Sequence, residues 1–309
     1  MLALSKQVVL ITGASSGIGA ALAETLAQRY PEIRLLLAAR NVSQLESVAA
    51  LCRQFGASVL VVRTDLEQLE EVENLAKSAE PCGGFRIADF GKVDTLVNNQ
   101  SYGQIGALEL IPNTAERQFP TNVFGPLALI RAIIPGMRNS GGGRIINVSS
   151  LGGKITFPFG GLYSASKFAR EAISDALRME LEPFNIKVSV IQPGAVSTNF
   201  FAVAVRAVAE NIVSESTPYR SAFTKLKGLE QRTKRTAWTQ ERVAAVIIHA
   251  LSEKNPRPRY IAATGGSFLV FLMTKVLPTK WVDRFWQRFY GINLVAQEWH
   301  INQNQELGH

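Results

Sequence analysis

Tyr163 and Lys167 stand four residues apart at the start of a stretch that reads as a helix, and Ser150 lies thirteen positions before the tyrosine, at the end of an apolar run. Residues four apart share one helical face about a turn apart. A phenol with an ordinary pKa of about 10 becomes an acid–base catalyst near neutral pH when a cation beside it stabilises the phenolate. Lys167 is placed to be that cation, and Ser150 to offer a hydroxyl to a substrate oxygen. Ser149 is the neighbouring alternative, since either serine can simply end a strand. The chain has three histidines, at 249, 300 and 309, all late in the sequence, which argues against a histidine metal site or a serine–histidine triad. No metal is expected.

These groups must be positioned by regular elements. Continuous apolar runs at residues 7–12, 35–39, 58–63 and 94–99 alternate with helical patterns at 18–30, 43–55 and 67–79. The alternation continues through a helix at 120–138, the strand in GGGRIINVSS, a helix at 163–182 and a strand at 186–192, then a helix at 241–252 and a closing strand at 259–264. Apolar strands separated by helices indicate a parallel sheet covered on both faces. We therefore expect an α/β, doubly wound, Rossmann-like fold: one domain over residues 1–265 and a C-terminal helical extension over 266–309. Residues 81–90 read as a loop, 197–236 as mostly helical, and the last ten residues as a disordered polar tail.

Of the 309 residues 47% are hydrophobic and 19% charged, which describes a folded chain with a sizeable core. Cys52 and Cys82 make no disulfide framework. The N-terminal MLALSKQVVLITG lacks a basic region followed by a long apolar run and cleavage site, so a cytoplasmic location is expected. The net charge of +8 is compatible with nucleic acid, an anionic membrane or an anionic cofactor. Its densest part, Lys225 to Arg235, has no interleaved aromatics and reads as a solvated helical face, so no nucleic-acid partner is expected.

Thr12 to Gly19, TGASSGIG, follows a strand and opens a helix. Gly13, Gly17 and Gly19 permit a tight turn and close approach of a phosphate to main-chain N–H groups at the helix N-terminus. At the end of the second strand Ala39 stands where an acidic residue would bond an adenosine ribose, and Arg40 follows it. A guanidinium with no carboxylate beside it suits a 2′-phosphate, so NADP(H) is expected; stacking of Arg40 on adenine is the alternative.

The Gly-x-x-x-Gly-x-Gly loop together with Tyr-x-x-x-Lys resembles the classical short-chain dehydrogenase/reductase family over residues 5 to 265. Asn98-Asn99, Asn122, Ser150, and Pro193-Gly194 with Thr198 agree in order and spacing. The resemblance implies that Tyr163 exchanges the proton at the substrate oxygen, and that Lys167 lowers its pKa and bonds the nicotinamide ribose. Ser150 would hold the substrate oxygen and Asn122 a water-linked proton relay. It further implies cofactor contacts at Gly13, Ser15, Ser16, Gly17, Ile18, Gly19, Arg40, Asp65, Leu66, Asn98, Pro193, Gly194, Val196 and Thr198, and a homo-oligomer. Where the family has Asn-Asn-Ala-Gly, this chain has Asn98-Asn99-Gln100-Ser101, which requires a shifted backbone or outward side chains.

Phe157, Pro158, Phe159 and Leu162, with Phe200, Phe201, Val203 and Val205, would form an apolar wall or pack into the core. The wording around Tyr163 is nearest to the hydroxysteroid and retinol dehydrogenase branch, so the expected substrate is a lipophilic carbonyl or alcohol. A sphingoid or fatty-acyl ketone is the alternative, and a non-catalytic cofactor-binding regulator the alternative of another class. Residues 267–290 mix Phe, Leu and Trp with Lys275, Lys280, Arg284 and Arg288, and Pro278 interrupts them. Their uninterrupted apolar part is too short to span a bilayer, which leaves open a pocket cover, a subunit contact or peripheral contact with a membrane.

Overall fold

The computed structural model describes residues 3–78, 92–198, 217–226, 228 and 237–306. Seven strands make one parallel sheet: β1 (Val8–Thr12), β2 (Arg34–Ala39), β3 (Ser58–Arg63), β4 (Thr95–Asn98), β5 (Gly143–Val148), β6 (Ile186–Pro193) and β7 (Arg259–Ala262), in the order β3-β2-β1-β4-β5-β6-β7. The five residues of β1 and the six of β5 are buried throughout, as strands covered on both faces must be.

The helices are α1 (Gly17–Arg29), α2 (Val42–Gln54), α3 (Leu69–Ser78), α4 (Gly125–Asn139), α5 (Gly161–Glu180) and α6 (Gln240–Ser252). Leu22 and Leu26 of α1, Leu45 of α2 and Ile247 of α6 fill one side of the sheet. Val72 and Leu75 of α3, Leu129 and Ile133 of α4 and Leu177 of α5 fill the other. Cys52 is buried in the first cluster, and burial pushes its thiol up to about 12, so it packs as an inert apolar group.

Strand order reverses at β1, which pairs β2 on one side and β4 on the other. A crevice opens at such a switch point beyond the carboxyl ends of the strands. Thr12 pairs Ala38, Asn98 pairs Asn147 and Val148 pairs Ile191. The segments that follow these residues are those singled out in the sequence, so register alone delivers them to one rim.

Two local features depart from the expected pattern. The helix foreseen from Pro120 opens with a π-helical turn, Pro120–Phe124, before α4 begins; such widened turns concentrate at functional sites. Beyond β7 the chain forms α7 (Gly266–Phe271), a π-helical turn (Leu272–Val276), α8 (Thr279–Tyr290) and α9 (Ile292–Glu306). The polar tail expected to be disordered is therefore helical to Glu306. Gly291, at φ +81°, ends α8, and Ile292 and Val295 anchor the next helix on an apolar cluster. Once nucleated, a helix gains one hydrogen bond per added residue, enough to carry Asn, Gln and Glu. The foreseen loop at 81–90, most of the 197–236 stretch, Cys82, and Phe200, Phe201, Val203 and Val205 lie outside the described residues.

Candidate active site

The glycine loop joins β1 to α1 at the switch point. Gly13 and Gly17 have φ of +65° and +62°, a region that side chains avoid. A Cβ on Gly13 would stand 2.9 Å from the Gln100 Cα, and one on Gly19 2.3 Å from the Gly13 carbonyl oxygen. Main chain therefore packs on main chain. Ser16, the residue before α1, makes no side-chain cap, which leaves the N–H groups of the first turn directed at the crevice, the arrangement that receives a phosphate. The residues present fit a dinucleotide. Ser15, Ser16, Gly17 and Ile18 form the phosphate-facing turn, and the Thr198 methyl lies 3.5 Å from where a Gly17 Cβ would be. Pro193 closes β6, Gly194 donates to the Ala262 carbonyl at 3.2 Å, and Val196 bridges Trp238, which holds that side of the crevice.

At the adenosine end Ala39 is buried and Arg40 exposed. Leu66 is buried beneath the rim and the partly buried Asp65 accepts from the Glu67 N–H at 3.1 Å. Glu67 was not singled out in the sequence, yet it comes close to Arg40. Burial works against its charge, while hydrogen bonds from Arg117 and Thr121 and the charges of Arg117 and Arg40 hold its carboxyl below the usual range. The Arg117 guanidinium meets it at 2.9 and 3.1 Å.

The asparagine pair divides its duties. Asn99 donates to the carbonyls of Thr12 and Gly13 at 3.0 and 3.1 Å, and so ties the glycine loop to β4. Asn98, expected at the cofactor, is turned inward instead: its side chain is fully buried and donates to Asn147 at 3.0 Å. Alternation along a strand sends adjacent side chains to opposite faces, so only one of the two can face the loop. Gln100 is accommodated through its backbone, whose N–H donates to the Thr12 hydroxyl at 3.2 Å.

Alternation also separates the serines. Ser149 is buried behind Gly153. Ser150 faces the crevice, accepts from the Gly152 N–H at 3.0 Å and hydrogen-bonds the Tyr163 hydroxyl. Lys167 lies below the tyrosine, 1% exposed, with Nζ 5.6 Å from the ring centroid and 3.2 Å from the Val148 carbonyl oxygen. Burial raises the Tyr163 pKa, and the groups that pull it back are Ser150 and Arg170. Burial, then the neighbouring Arg170 charge, hold Lys167 well below the ordinary lysine value, with Glu171 opposing them.

Arg170 was not singled out in the sequence. It is 3% exposed and its guanidinium donates to main-chain carbonyls: Asn122 at 2.9 and 2.7 Å, Val148 at 2.7 Å, Asn98 at 3.2 Å and Gln100 at 3.4 Å. Asn122 sits in the π-turn. Its side chain accepts from the Tyr102 N–H at 2.8 Å and donates to the Tyr102 carbonyl and the Ser166 hydroxyl at 2.7 and 3.0 Å.

Above Tyr163 the surroundings turn aromatic. Phe157 stacks on Tyr290 at 5.6 Å between centroids and 10° between planes, and meets Trp286 at 6.4 Å. Phe159, held at φ +66°, is buried among Tyr219, Phe223 and Tyr290. Phe159 thus packs into the local core, while Phe157, beside Gly152 and Tyr163, stays at the crevice. Among the described residues no group of His, Cys, Asp and Glu could hold a metal ion.

A short-chain dehydrogenase family model matches residues 7–208. A 3-ketodihydrosphingosine reductase of Bacteroides thetaiotaomicron is 32% identical over 254 residues, covering 82% of this chain and 86% of that protein. Among solved structures, a short-chain dehydrogenase/reductase from Burkholderia phymatum in complex with NAD superposes with a TM-score of 0.75 at 28% identity, covering 88% of this chain and 94% of that one. A short-chain dehydrogenase from Sphingobium yanoikuyae in complex with NADPH gives 0.64 at 25% identity, covering 82% and 87%.

Proposed function

Since the chain belongs to the short-chain dehydrogenase/reductase family, oxidoreductases acting on CH–OH groups, we propose that it is an NADP(H)-dependent enzyme interconverting a ketone and a secondary alcohol on a lipophilic substrate. The observation that carries this reading is the Ser150–Tyr163 hydrogen bond above buried Lys167, beside a helix N-terminus built to receive a phosphate. When bound, the dinucleotide supplies or accepts the hydride at the carbonyl carbon. The protein does the rest. Ser150 holds the substrate oxygen, and Tyr163 gives it a proton in reduction and takes one in oxidation, where alkoxide charge develops. Lys167 binds the nicotinamide ribose beneath them.

Arg40 after Ala39 supports NADP(H), because the Glu67 carboxylate nearby is committed to Arg117 and Thr121. Phe157, Trp286 and Tyr290 support a lipophilic substrate. The relative named for a sphingoid ketone supports a long-chain ketone within that class. The reading takes residues 1–265 as the Rossmann-like domain and 266–309 as its extension, in a cytoplasmic protein. It includes peripheral membrane contact through 267–290, supported by exposed Phe268, Phe271, Trp281 and Phe285, and a homo-oligomer, supported by exposed Phe168, Met179 and Phe184.

The test is consumption of NADPH and NADH with a sphingoid ketone, a steroid ketone and a β-keto acyl chain. We expect reduction of at least one, with kcat/KM about tenfold higher for NADPH, and Arg40→Ala to remove that preference. No turnover with any ketone would favour the competing reading, a regulator that binds cofactor without chemistry. Equal use of NADH would overturn the cofactor assignment.

A further inference from the structure

α8 has two apolar edges and a basic one. Val282, Trp286 and Tyr290 recur at every fourth position and are half-buried against the domain. Trp281, Phe285 and Phe289 recur at the same spacing and are at least 41% exposed. Lys280, Arg284 and Arg288 make the stripe beside those exposed rings, and Asp283 is the single acidic residue of the helix. Just before it, α7 leaves Phe268 and Phe271 exposed as well. Large rings left in water along one edge mark a surface that something covers. Whatever covers this one must take rings and cations side by side.

The inner edge leads to the reacting centre. Trp286 and Tyr290 meet the Phe157 ring at 6.4 and 5.6 Å. A Cβ on Gly152 would stand 3.3 Å from Cε1 of Tyr163 and 3.5 Å from Cε1 of Phe157, so those two rings are neighbours. In the other direction Trp286 meets Phe289 at 5.7 Å, and Phe289 stacks on Phe285 at 6.0 Å. Ring contacts thus run from beside Tyr163 to the exposed edge of α8.

Resting on the oxidoreductase reading, we propose that the outer edge of α8 is a docking face for an anionic bilayer, and that it sets the mouth of the crevice against the lipid. The ketone then passes from the bilayer to Tyr163 beneath Trp286 and Tyr290 without crossing water, which narrows the substrate class to ketones dissolved in a membrane. Trp and Phe settle at the boundary of headgroups and acyl chains, and Lys and Arg beside them meet anionic headgroups. A second copy of the chain is a poorer occupant. A twofold contact through this edge would run two basic stripes along one seam, with one Asp283 from each copy to offset them.

The experiment compares the wild type with a variant carrying Lys280→Gln, Arg284→Gln and Arg288→Gln. Each is given a long-chain ketone held in phosphatidylcholine vesicles, with and without phosphatidylserine, and separately a short soluble ketone. The wild type should reduce the vesicle-held ketone about tenfold faster when phosphatidylserine is present, and sediment with those vesicles in proportion. The variant should lose that gain and match the wild type on the soluble ketone. Equal rates with and without phosphatidylserine in the wild type, or an undiminished gain in the variant, overturn the proposal. So does a wild type that self-associates without vesicles while the variant stays monomeric, which assigns the edge to a second copy. If the triple variant does not fold, Arg284→Glu decides by the same readouts. Failure of the oxidoreductase reading is distinct: neither ketone is then turned over, delivery falls with it, and sedimentation alone decides the docking face.

Discussion

The floor and the roof of the crevice are built on opposite principles. The floor is polar and enclosed: Lys167 and Arg170 are at most 3% exposed, and their donors end on carbonyls of the sheet and the π-turn. The roof is aromatic and partly open. Phe157, Trp286 and Tyr290 meet through ring contacts 5.6 to 6.4 Å apart, with no hydrogen bond between them to fix a single arrangement. Hydrogen bonds specify position within tenths of an ångström, whereas aromatic packing is non-directional enough to accept substrates of different shape. On the proposed function, the floor would set what reaction occurs and the roof which molecule undergoes it.

The contrast can be broken from either side. The largest effect is expected in the floor. Tyr163→Phe should lower kcat about a thousandfold and leave the KM for NADPH within about threefold. In the wild type the raised Tyr163 pKa keeps the proton donor protonated through neutral pH. Reduction should accordingly hold level across the neutral range and fall only as pH rises into the tyrosine range, while oxidation should climb over the same interval; a pH profile in both directions checks the sign. A reduction rate that falls between pH 6 and 8, where about three units separate neutrality from an ordinary tyrosine, would contradict the account.

In the roof, Trp286→Ala with Tyr290→Ala should raise KM for a long-chain ketone about tenfold and change kcat less than about threefold, because burial of the chain is lost without disturbing the proton donor. Equal losses in kcat and kcat/KM would mean that the roof also positions the carbonyl. The smallest effect belongs to the outer edge of the same helix. Val282, Trp286 and Tyr290 are its half-buried edge, whereas Trp281, Phe285 and Phe289 are exposed beside the Lys280, Arg284 and Arg288 stripe. Trp281→Ser with Phe285→Ser should weaken sedimentation with anionic phosphatidylserine vesicles about threefold or more while leaving turnover of a short, soluble ketone unchanged. Unaltered sedimentation, or none in the wild type, would remove the membrane reading and leave a subunit contact for that edge.

Much of the floor was legible in the sequence, because its residues are fixed by short-range rules. Tyr163 and Lys167 share a helix face by spacing, and Gly13, Gly17 and Gly19 stand where a strand turns into a helix. Other parts depend on register and tertiary contact. Ser149 and Ser150, just past the end of β5, differ only in the side to which the extended chain turns them, and the same parity sends Asn98 into the sheet and leaves Asn99 to hold the glycine loop. Arg170 was hidden because an arginine on an amphipathic helix ordinarily lies in solvent; only the convergence of carbonyls on it shows its place. Phe159 reads as a wall residue by neighbourhood and becomes core through its contacts with Phe223 and Tyr290. The helix over residues 292–306 is anchored by contacts near its start, which no local signal in its polar end announces.

The central claim is that hydride is exchanged at a carbonyl carbon beside Tyr163. It is tested most directly by incubating the enzyme with NADPH deuterated at the transferring C4 position and a long-chain ketone, and weighing the product. The account predicts an alcohol carrying one deuterium at the carbinol carbon, formed by the wild type and about a thousandfold more slowly by Tyr163→Phe. An alcohol without deuterium, or one formed equally fast by both proteins, would contradict it.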